Sequence, residues 1–247
     1  MVDLRNRDSI LPGASERALL REISDLNDLY ETLTPQEIIE DALARRQALF
    51  GHCAAVSSFG AESAVLLHMI AQVEPALPIV MLDTGKLFGE TLQYRNQLQH
   101  VLGLEDIRSS YPRKSDLAEF DPLGTLSATN PDQCCRIRKT DVLKRALSPF
   151  DSWFNGRKRY QSDVRSVMSI VERDDGRLKI NPLANWDAGT IRAYQIEHEL
   201  PVHPLLSKGY GSIGCYPCTS KVKAGEDARA GRWRGLDKSE CGLHGKG

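Results

Sequence analysis

Two pairs of cysteines restrict the folds open to this chain more than any other feature of its sequence. Cys134 and Cys135 are adjacent, and Cys215 and Cys218 follow about 80 residues later with two residues between them. Thiolates in close pairs are typical ligands of zinc and of iron–sulfur clusters, so we expect the fold to bring both pairs to one site. An ordinary disulfide needs a wider Cα separation than one peptide unit gives, which argues against a bridge between the adjacent pair.

The spacing within the pairs bears on the kind of metal. Zinc sites typically place about two to four residues between paired ligands, and the adjacent cysteines do not follow that rule. A larger cluster of iron and sulfide accepts ligands from neighbouring residues more easily. The spacing therefore favours a [4Fe–4S] cluster and leaves zinc and redox-active dithiols open as alternatives.

Length, charge and hydropathy narrow the classes of function. The chain has 247 residues, enough for one large α/β domain, and its net charge of −1 argues against a general nucleic-acid or membrane surface. Its first residues lack the apolar segment of a secretory signal, and no apolar run approaches the ~20 residues that cross a bilayer. Six cysteines in such a chain fit a reducing cytoplasm, where we expect them to serve a metal or catalysis.

Strand and helix patterns alternate from residue 50 onward. The segments 53–56 and 78–82 are short apolar runs typical of buried strands, and each is followed by a polar turn and a helical pattern. A further short strand is predicted at 106–109. This βαβ repetition predicts an α/β fold with a mostly parallel sheet.

Polar turns follow two of these strands. The first is Ser58-Phe-Gly-Ala-Glu-Ser63, and the second is Asp83-Thr84-Gly85. Open α/β sheets bind ligands at the carboxyl ends of their strands, where both turns lie. A glycine-containing turn before a helix can also aim backbone N–H groups at an anion, although an ordinary βα turn explains the first segment equally well.

The chain divides into three predicted regions: a helical arm (1–50), an α/β domain (51–223) and a tail (224–247). Within the domain we expect a helix that begins at the Cys134-Cys135 pair and a strand at 152–154. A hairpin is predicted from strands 167–171 and 178–180, followed by a helix capped by Asp187. Three cations follow Gly156, and they form either a solvated surface or an anion site.

Seven segments, present in one order, resemble a known family. They are Ser58-Phe-Gly-Ala-Glu-Ser63, Leu82-Asp-Thr-Gly85, Cys134-Cys135-Arg-Ile-Arg-Lys139, Lys179-Ile-Asn-Pro-Leu183, Gly211-Ser-Ile-Gly-Cys215-Tyr-Pro-Cys218-Thr, Gly231-Arg-Trp233 and Glu240-Cys-Gly-Leu-His244. From about residue 50 to residue 247 the chain resembles the assimilatory adenylyl-sulfate and phosphoadenylyl-sulfate reductases, relatives of the PP-loop ATP pyrophosphatases. The double cysteine pair resembles the iron–sulfur branch, which reduces adenylyl sulfate.

The resemblance implies a fold, a reaction and a cofactor. The fold is Rossmann-like, of the PP-loop adenine nucleotide alpha hydrolase type, with a mobile C-terminal tail. The reaction is the reduction of adenosine 5′-phosphosulfate to sulfite and AMP by thioredoxin or a glutaredoxin-like reductant, through an S-sulfocysteine formed on Cys241. One [4Fe–4S] cluster would be held by Cys134, Cys135, Cys215 and Cys218, with a structural and electrostatic role.

The resemblance also implies a set of substrate-binding residues. They are Ser58, Phe59, Gly60, Ser63, Asp83, Thr84, Gly85, Lys139, Gly156, Lys158, Arg159, Arg229 and Arg232. Phe59 and Glu62 replace the glycine and aspartate of ATP pyrophosphatases, which argues against ATP hydrolysis. Lys158 stands where the family has an arginine, so the charge is kept and the two-pronged geometry is not. Lys238 and His244 are expected to favour the thiolate of Cys241.

Two other classes of function compete with this interpretation. A PP-loop ligase or thiolase that adenylates tRNA and transfers sulfur would also combine this fold with cysteines. A four-cysteine zinc module that binds a partner without catalysis would explain the pairs but gives no role to Cys241. Within the reductase interpretation, the resemblance of the double cysteine pair to the iron–sulfur branch implies the unphosphorylated nucleotide, with the 3′-phosphorylated form as the alternative.

Overall fold

The apolar runs of the sequence form a single six-stranded sheet. The computed structural model describes residues 14–236, 238 and 240–242. Its strands are β1 (Cys53–Val56), β2 (Ile79–Leu82), β3 (Ile107–Ser110), β4 (Ser152–Asn155), β5 (Val171–Asp174) and β6 (Arg177–Ile180). The order across the sheet is β3-β2-β1-β4-β6-β5, and every neighbouring pair is parallel except the β5–β6 hairpin. The predicted Rossmann-like, mostly parallel α/β fold is confirmed.

Helices cover both faces of this sheet. They are α1 (Ala14–Tyr30), α2 (Pro35–Ala44), α3 (Ser63–Val73), α4 (Gly89–Leu102), α5 (Lys114–Phe120), α6 (Leu126–Thr129), α7 (Pro131–Cys135), α8 (Asp141–Ala146), α9 (Asp163–Ser166) and α10 (Ala188–Glu197). Wide π turns run over Arg46–Phe50 and Arg136–Thr140, and 3₁₀ turns over Arg159–Gln161 and Tyr216–Cys218. None of the helices in the described part of the chain has the length and apolar character required to cross a membrane.

Strand β1 is buried on both faces, as expected for a central parallel strand. Cys53 and Ala55 belong to the larger hydrophobic core, whereas Ala54 packs in a smaller one with Val80 and Trp153. Neighbouring residues of a strand point to opposite faces, so the two cores lie on opposite sides of the sheet. Cys53 therefore packs in the core and lies apart from the two cysteine pairs in the sequence.

Helices α1 and α2 pack onto the larger core. Ile23, Leu26 and Tyr30 of α1 are buried there, together with the apolar face of α2. Asn27 accepts a hydrogen bond from the Val171 backbone N–H at 2.8 Å and donates one to its carbonyl at 3.0 Å, which covers the exposed edge of β5. Each large apolar side chain buried in this way contributes ~1.5–3 kcal/mol. The predicted division into arm, domain and tail remains a prediction.

Capping signals in the sequence set the starts of two helices. Thr34 Oγ1 accepts from the Glu37 backbone N–H at 3.3 Å, and the Glu37 carboxylate accepts from the Thr34 N–H at 2.7 Å. This capping box starts α2 with proline at its first position. Asp187 caps α10 by accepting from the Thr190 N–H at 2.7 Å.

The predicted hairpin is present, but its first strand was placed wrongly at 167–171. The hairpin turn lies at Asp175 and Gly176, which have φ of 51° and 80°. A two-residue turn with positive φ at both positions sets the register of the strands that it joins. That register pairs Val171 with Ile180, so the strand starts at Val171, and the exposed Val167 precedes it.

Candidate active site

The two central strands, β1 and β4, are followed by chain segments that lead to opposite halves of the sheet. The chain from β1 continues to β2, whereas the chain from β4 continues to the β5–β6 hairpin. Open α/β sheets bind ligands at this kind of switch point, outside the carboxyl ends of the strands. A cavity of about 280 Å³ lies there, lined by residues after β1 and β4, by residues 211–214 and by the C-terminal tail.

The cavity wall is rich in positive charge. It carries six cationic side chains and three carboxylates: Lys139, Arg157, Lys158, Arg165, Arg229 and Arg232, with Glu62, Asp227 and Glu240. A concave wall with this excess of cations attracts an anionic ligand.

The turn after β1 is shaped by its own serines. Ser57 Oγ accepts from the Phe59 N–H at 3.1 Å, and Ser63 Oγ accepts from the Gly60 N–H at 2.8 Å. Phe59 has a φ of 49° and a fully buried side chain, so it anchors the turn to the core. Ser58 is left exposed on the cavity wall.

Glu62 and Lys158 form a buried ion pair at one side of the cavity. Lys158 Nζ donates to Glu62 Oε2 at 2.6 Å, and its side chain is only 3% exposed. The Tyr160 hydroxyl and Gln161 Nε2 also donate to this carboxylate, at 2.6 and 2.9 Å. Burial raises the pKa of Glu62, but Lys158 and the two other donors outweigh it, so the pKa lies below its ordinary value. The lysine in place of the family's arginine therefore has a carboxylate partner.

Two cavity cations have no carboxylate partner among the described residues: Lys139 and Arg232. Arg157 pairs with Glu172 at 3.1 Å, and the remaining cations pair with Glu62 or Glu240. Arg232 lies over the Trp233 ring with 4.4 Å between its Cζ and the ring centroid. A Cβ on Gly214 would collide with the guanidinium, so glycine is required for this close approach.

The sequence predicted a helix that begins at the cysteine pair. In the structure the pair lies at the end of a short helix. Helix α7 starts at Pro131, where Asn130 accepts from the Gln133 N–H at 3.0 Å. The chain then continues through the π turn Arg136–Thr140, a local widening often found at functional sites.

The π turn distributes two adjacent cations to different partners. Arg138 donates to Asp121 at 2.6 Å and to the Thr84 carbonyl at 2.7 Å, both in the interior. Lys139 lines the cavity. Burial lowers the pKa of Lys139, but the thiols of Cys241, Cys215 and Cys135 outweigh it and raise the pKa above its usual value. Lys139 thus lies between the cavity and the cysteines.

The four predicted cluster cysteines are brought into one neighbourhood. Cys134, Cys135 and Cys215 are buried, Cys218 is partly exposed, and all are free thiols. Burial is the largest cause of the raised pKa of Cys134, and the nearby Cys215 and Cys218 raise it further. Burial likewise raises the pKa of Cys135 to about 11. Such thiols stay protonated at neutral pH unless a metal takes the place of the proton.

This donor set consists of four free thiols, which are the ligands that iron–sulfur clusters take. Among residues 14–236, 238 and 240–242, no three His, Cys, Asp or Glu side chains are arranged to hold one metal ion. A cube-shaped cluster binds each cysteine through a different iron, so its ligands stand farther apart than those around one zinc ion. Three buried thiols and one partly exposed thiol, none of them bridged, supply the ligands that such a cluster takes.

The C-terminal tail brings Cys241 to the cavity. Cys241 lines the wall together with Glu240, whose carboxylate forms an ion pair with the Arg165 guanidinium. Lys238, which was expected to favour the thiolate, donates instead to Asp132 and lies 5.9 Å from the Trp233 ring centroid. His244 lies outside the described residues.

Most of the predicted substrate-binding residues line the cavity. They are Ser58, Gly60, Ser63, Lys139, Gly156, Lys158, Arg229 and Arg232, together with the predicted nucleophile Cys241. Phe59 does not, because its side chain is part of the core.

The Asp83-Thr84-Gly85 turn was also predicted to bind substrate, but it faces the cysteines. Asp83 Oδ1 accepts from the Gly85 N–H at 2.9 Å, and Thr84 Oγ1 lies 3.2 Å from Cys215 Sγ. This turn follows β2, which is separated from β4 by β1 and therefore lies away from the switch point.

Arg159 lies outside the cavity wall, and its predicted contact with substrate stays a prediction. It donates to Glu31 at 2.6 Å and to the Met168 carbonyl at 2.8 Å, and it contacts Asn185. Arg159 begins a 3₁₀ turn, in which successive side chains point about 120° apart. Lys158 therefore points inward while Arg159 points away.

Sequence reasoning missed two residues of the cavity wall, Arg165 and Asn155. Arg165 lies in the short helix α9 and is 8% exposed, and no pattern in its segment marks it as functional. Asn155 ends β4 with a buried Nδ2 that has no partner within the described structure. Only its position at the carboxyl end of a central strand could have identified it.

The fold and the cavity define a class of α/β protein that binds an anionic ligand at its switch point and brings a cysteine to it. Residues 52–221 match the phosphoadenosine phosphosulfate reductase domain, and the chain belongs to this family.

The names of similar proteins agree with membership of this family. An adenosine 5′-phosphosulfate reductase of Mesorhizobium japonicum is 46% identical over 94% of this chain and 91% of its own. A phosphoadenosine 5′-phosphosulfate reductase of Gloeobacter violaceus is 39% identical over 87% of this chain and 90% of its own. The crystal structure of phosphoadenylyl-sulfate reductase from Candida auris, a phosphate complex, superimposes with a TM-score of 0.68 at 25% identity and covers 82% of this chain and 97% of that one.

Proposed function

We propose that this chain reduces adenosine 5′-phosphosulfate to sulfite and AMP, with a thioredoxin-type dithiol as the electron donor. The observation that carries the proposal is the position of Cys241 in the cavity wall that also holds Lys139 and Arg232. A thiol beside two cations that have no carboxylate partner in the described part of the chain suits attack on an anionic sulfur compound. The relative in Mesorhizobium japonicum bears the name of this activity.

The first step is transfer of the sulfonate group to the enzyme. The Cys241 thiolate attacks the sulfur of the phosphosulfate, a bond forms between the two sulfur atoms, and the sulfur–oxygen bond to the phosphate breaks. The electron pair of that bond leaves with AMP, and the enzyme carries an S-sulfocysteine. Lys139 and Arg232 offset the negative charge that gathers on the departing phosphate and the sulfonate.

The second step releases sulfite and regenerates the Cys241 thiolate. A dithiol attacks the Cys241 sulfur, and sulfite leaves with the electron pair of the broken sulfur–sulfur bond. The second thiol of the reductant then attacks its own partner in the mixed disulfide and releases the Cys241 thiolate. The dithiol is oxidised to a disulfide, and the sulfur of the substrate is reduced to sulfite.

Cys134, Cys135, Cys215 and Cys218 would hold a [4Fe–4S] cluster in the proposed enzyme. When bound, the cluster supplies sulfur-ligated negative charge and a covalent tie between α7 and the 215–218 segment. Lys139 lies between that charge and the anionic substrate and reduces their repulsion. Both steps proceed without an electron from the cluster. All six cysteines are free thiols, which fits a reducing cytoplasm.

The 3′-phosphorylated nucleotide is the alternative substrate, because a relative and a structural neighbour carry the name of that activity. The lysine and arginine residues of the wall suit either anion. A PP-loop enzyme that transfers sulfur to another acceptor is the less favoured alternative.

Intact-mass measurement tests the proposal. Anaerobically purified protein is incubated with adenosine 5′-phosphosulfate in the absence of reductant. We expect a gain of one sulfonate group that reduced thioredoxin removes and that Cys241→Ser abolishes. An adduct formed only with the 3′-phosphorylated nucleotide would change the substrate and keep the mechanism. No adduct with either nucleotide, in protein whose iron and sulfide content is complete, would exclude the reductase.

A further inference from the structure

Glu240, the residue before the proposed nucleophile, is held by a buried arginine across the cavity. Arg165 Nε lies 2.8 Å from Glu240 Oε1, and Arg165 Nη2 donates to Oε2 at 2.9 Å. The hydrogen bond from Nη2 and the close contact of Nε hold the carboxylate against the guanidinium. Ser162 Oγ donates to the same carboxylate at 3.3 Å, and Arg229 Nη2 lies 3.5 Å from it.

The surroundings make this ion pair stronger than an exposed one. The Arg165 side chain is 10% exposed and that of Glu240 is 23% exposed. Burial raises the pKa of Glu240, but Arg165 and Arg229 outweigh it, and the pKa lies below its usual range. The carboxylate is therefore charged at neutral pH, and it keeps its partners.

A second contact binds the tail to another helix. Lys238 donates to Asp132 in α7, the helix that ends with the cysteine pair. Glu240, two residues later, is bound to α9. Lys238 is thus bound to α7 and Glu240 to α9, and Cys241, which follows Glu240 directly, lies in the cavity wall.

We propose that Glu240 is a positioning residue that, through Arg165, holds Cys241 in the cavity before the nucleotide binds. The inference rests on the proposed function, since it concerns the rate at which Cys241 takes the sulfonate group. Loss of the pair lets the tail leave the cavity. Cys241 then meets external reagents more often and the bound substrate less often. The reductant requires the same release of the tail before it can reach Cys241. The ion pair between Glu240 and Arg165 therefore controls whether Cys241 faces the bound nucleotide or the reductant.

Glu240→Gln tests the inference, because it keeps the size of the side chain and removes its charge. Glu226→Gln is the matched control: Glu226 pairs with Arg234 at 2.7 Å in the same tail and lies outside the cavity wall. Two rates are measured on anaerobic, cluster-loaded protein. One is the alkylation of Cys241 by iodoacetamide without nucleotide, followed by peptide mass. The other is sulfonation of Cys241 in a single turnover at saturating adenosine 5′-phosphosulfate.

We expect the two rates to change in opposite directions. Charged hydrogen bonds of this type justify a change on the order of tenfold, with faster alkylation and slower sulfonation in Glu240→Gln. Glu226→Gln should stay within about twofold of the unmodified protein in both rates, since an exposed pair contributes little. A change in thiolate reactivity alone would move both rates in one direction.

The pH profile of alkylation separates release of the tail from a change in the thiol itself. Release raises the plateau rate at high pH, whereas removal of a neighbouring negative charge only moves the profile along the pH axis. An unchanged plateau, or a sulfonation rate within twofold of the unmodified protein, would overturn the inference. If the unmodified protein takes no sulfonate from either nucleotide, the proposed function fails, and the alkylation plateau still tests the position of the tail.

Discussion

Replacing Lys158 by methionine would leave the Glu62 carboxylate on the cavity wall without its cation. Removal of one partner from a buried ion pair costs ~3–5 kcal/mol. Glu62 is 29% exposed and keeps its hydrogen bonds from Tyr160 and Gln161, so the expected cost is lower, about 2–3 kcal/mol. In a chain of this size, each kcal/mol lowers Tm by roughly 2–4 °C, which gives an expected loss of roughly 5–10 °C.

The pH dependence of this loss identifies its cause. In the unmodified protein the lowered pKa of Glu62 adds stability above the unfolded-state pKa, and that stability is lost as the pH falls through the folded-state pKa. Without Lys158, burial raises the pKa of Glu62, so the variant carries a penalty at high pH that is relieved as protonation occurs. The difference in Tm between the two proteins should therefore narrow as the pH is lowered from neutral towards the ordinary pKa of a carboxyl group.

Differential scanning calorimetry at one scan rate measures both effects. Lys208→Met is the control, because Lys208 pairs with Glu90 at 2.7 Å with its side chain 55% exposed. Its Tm should fall by less than about 2 °C, as expected for an exposed pair. The reasoning would be refuted if Lys158→Met lowered Tm no more than the control does. It would also be refuted if the difference in Tm between Lys158→Met and the unmodified protein did not narrow on acidification.

Three further substitutions test the geometry of the site. Lys139→Ala should slow single-turnover sulfonation on the order of 100-fold with Tm little changed, and a loss below about fivefold would contradict its role. Arg159→Ala should keep the sulfonation rate within about twofold and lower Tm by roughly 2–4 °C, whereas a tenfold slower rate would restore its predicted contact with substrate. Gly214→Ala should raise the KM for the nucleotide on the order of tenfold, because the added Cβ displaces Arg232. Gly89→Ala is the control and should leave the KM unchanged, since its added Cβ meets nothing within 4 Å. Equal KM values for the two variants would show that the Arg232 guanidinium adapts to the added methyl group.

Local signals in the sequence predicted the fold well. The apolar runs at β1, β2 and β4 are short and bounded by turn residues, and each forms a strand of the parallel sheet. The caps at Thr34 and Asp187 start helices where the sequence places them. These features depend on residues within one turn of each other, so they are visible without knowledge of the tertiary structure.

The pairs that build the cavity could not be predicted in the same way. Lys158 and Glu62 are 96 residues apart, and Arg165 and Glu240 are 75 residues apart. No local pattern identifies which distant carboxylate a given cation meets. The direction of a side chain was equally hidden: Arg159 follows Lys158 immediately and points to Glu31 on the opposite side.

The π turn at Arg136–Thr140 has a consequence for the length of this segment. It closes with the Asp141 N–H donating to the Arg136 carbonyl, one residue more than an α-helical turn contains. Deletion of one residue would restore a regular helix and rotate Cys134 and Cys135 by about 100° relative to Val142 and Leu143, which are buried in α8. The shortened helix could not keep both the two cysteines and the buried residues of α8 in their present positions. Single insertions and deletions here should therefore be tolerated less well than most substitutions.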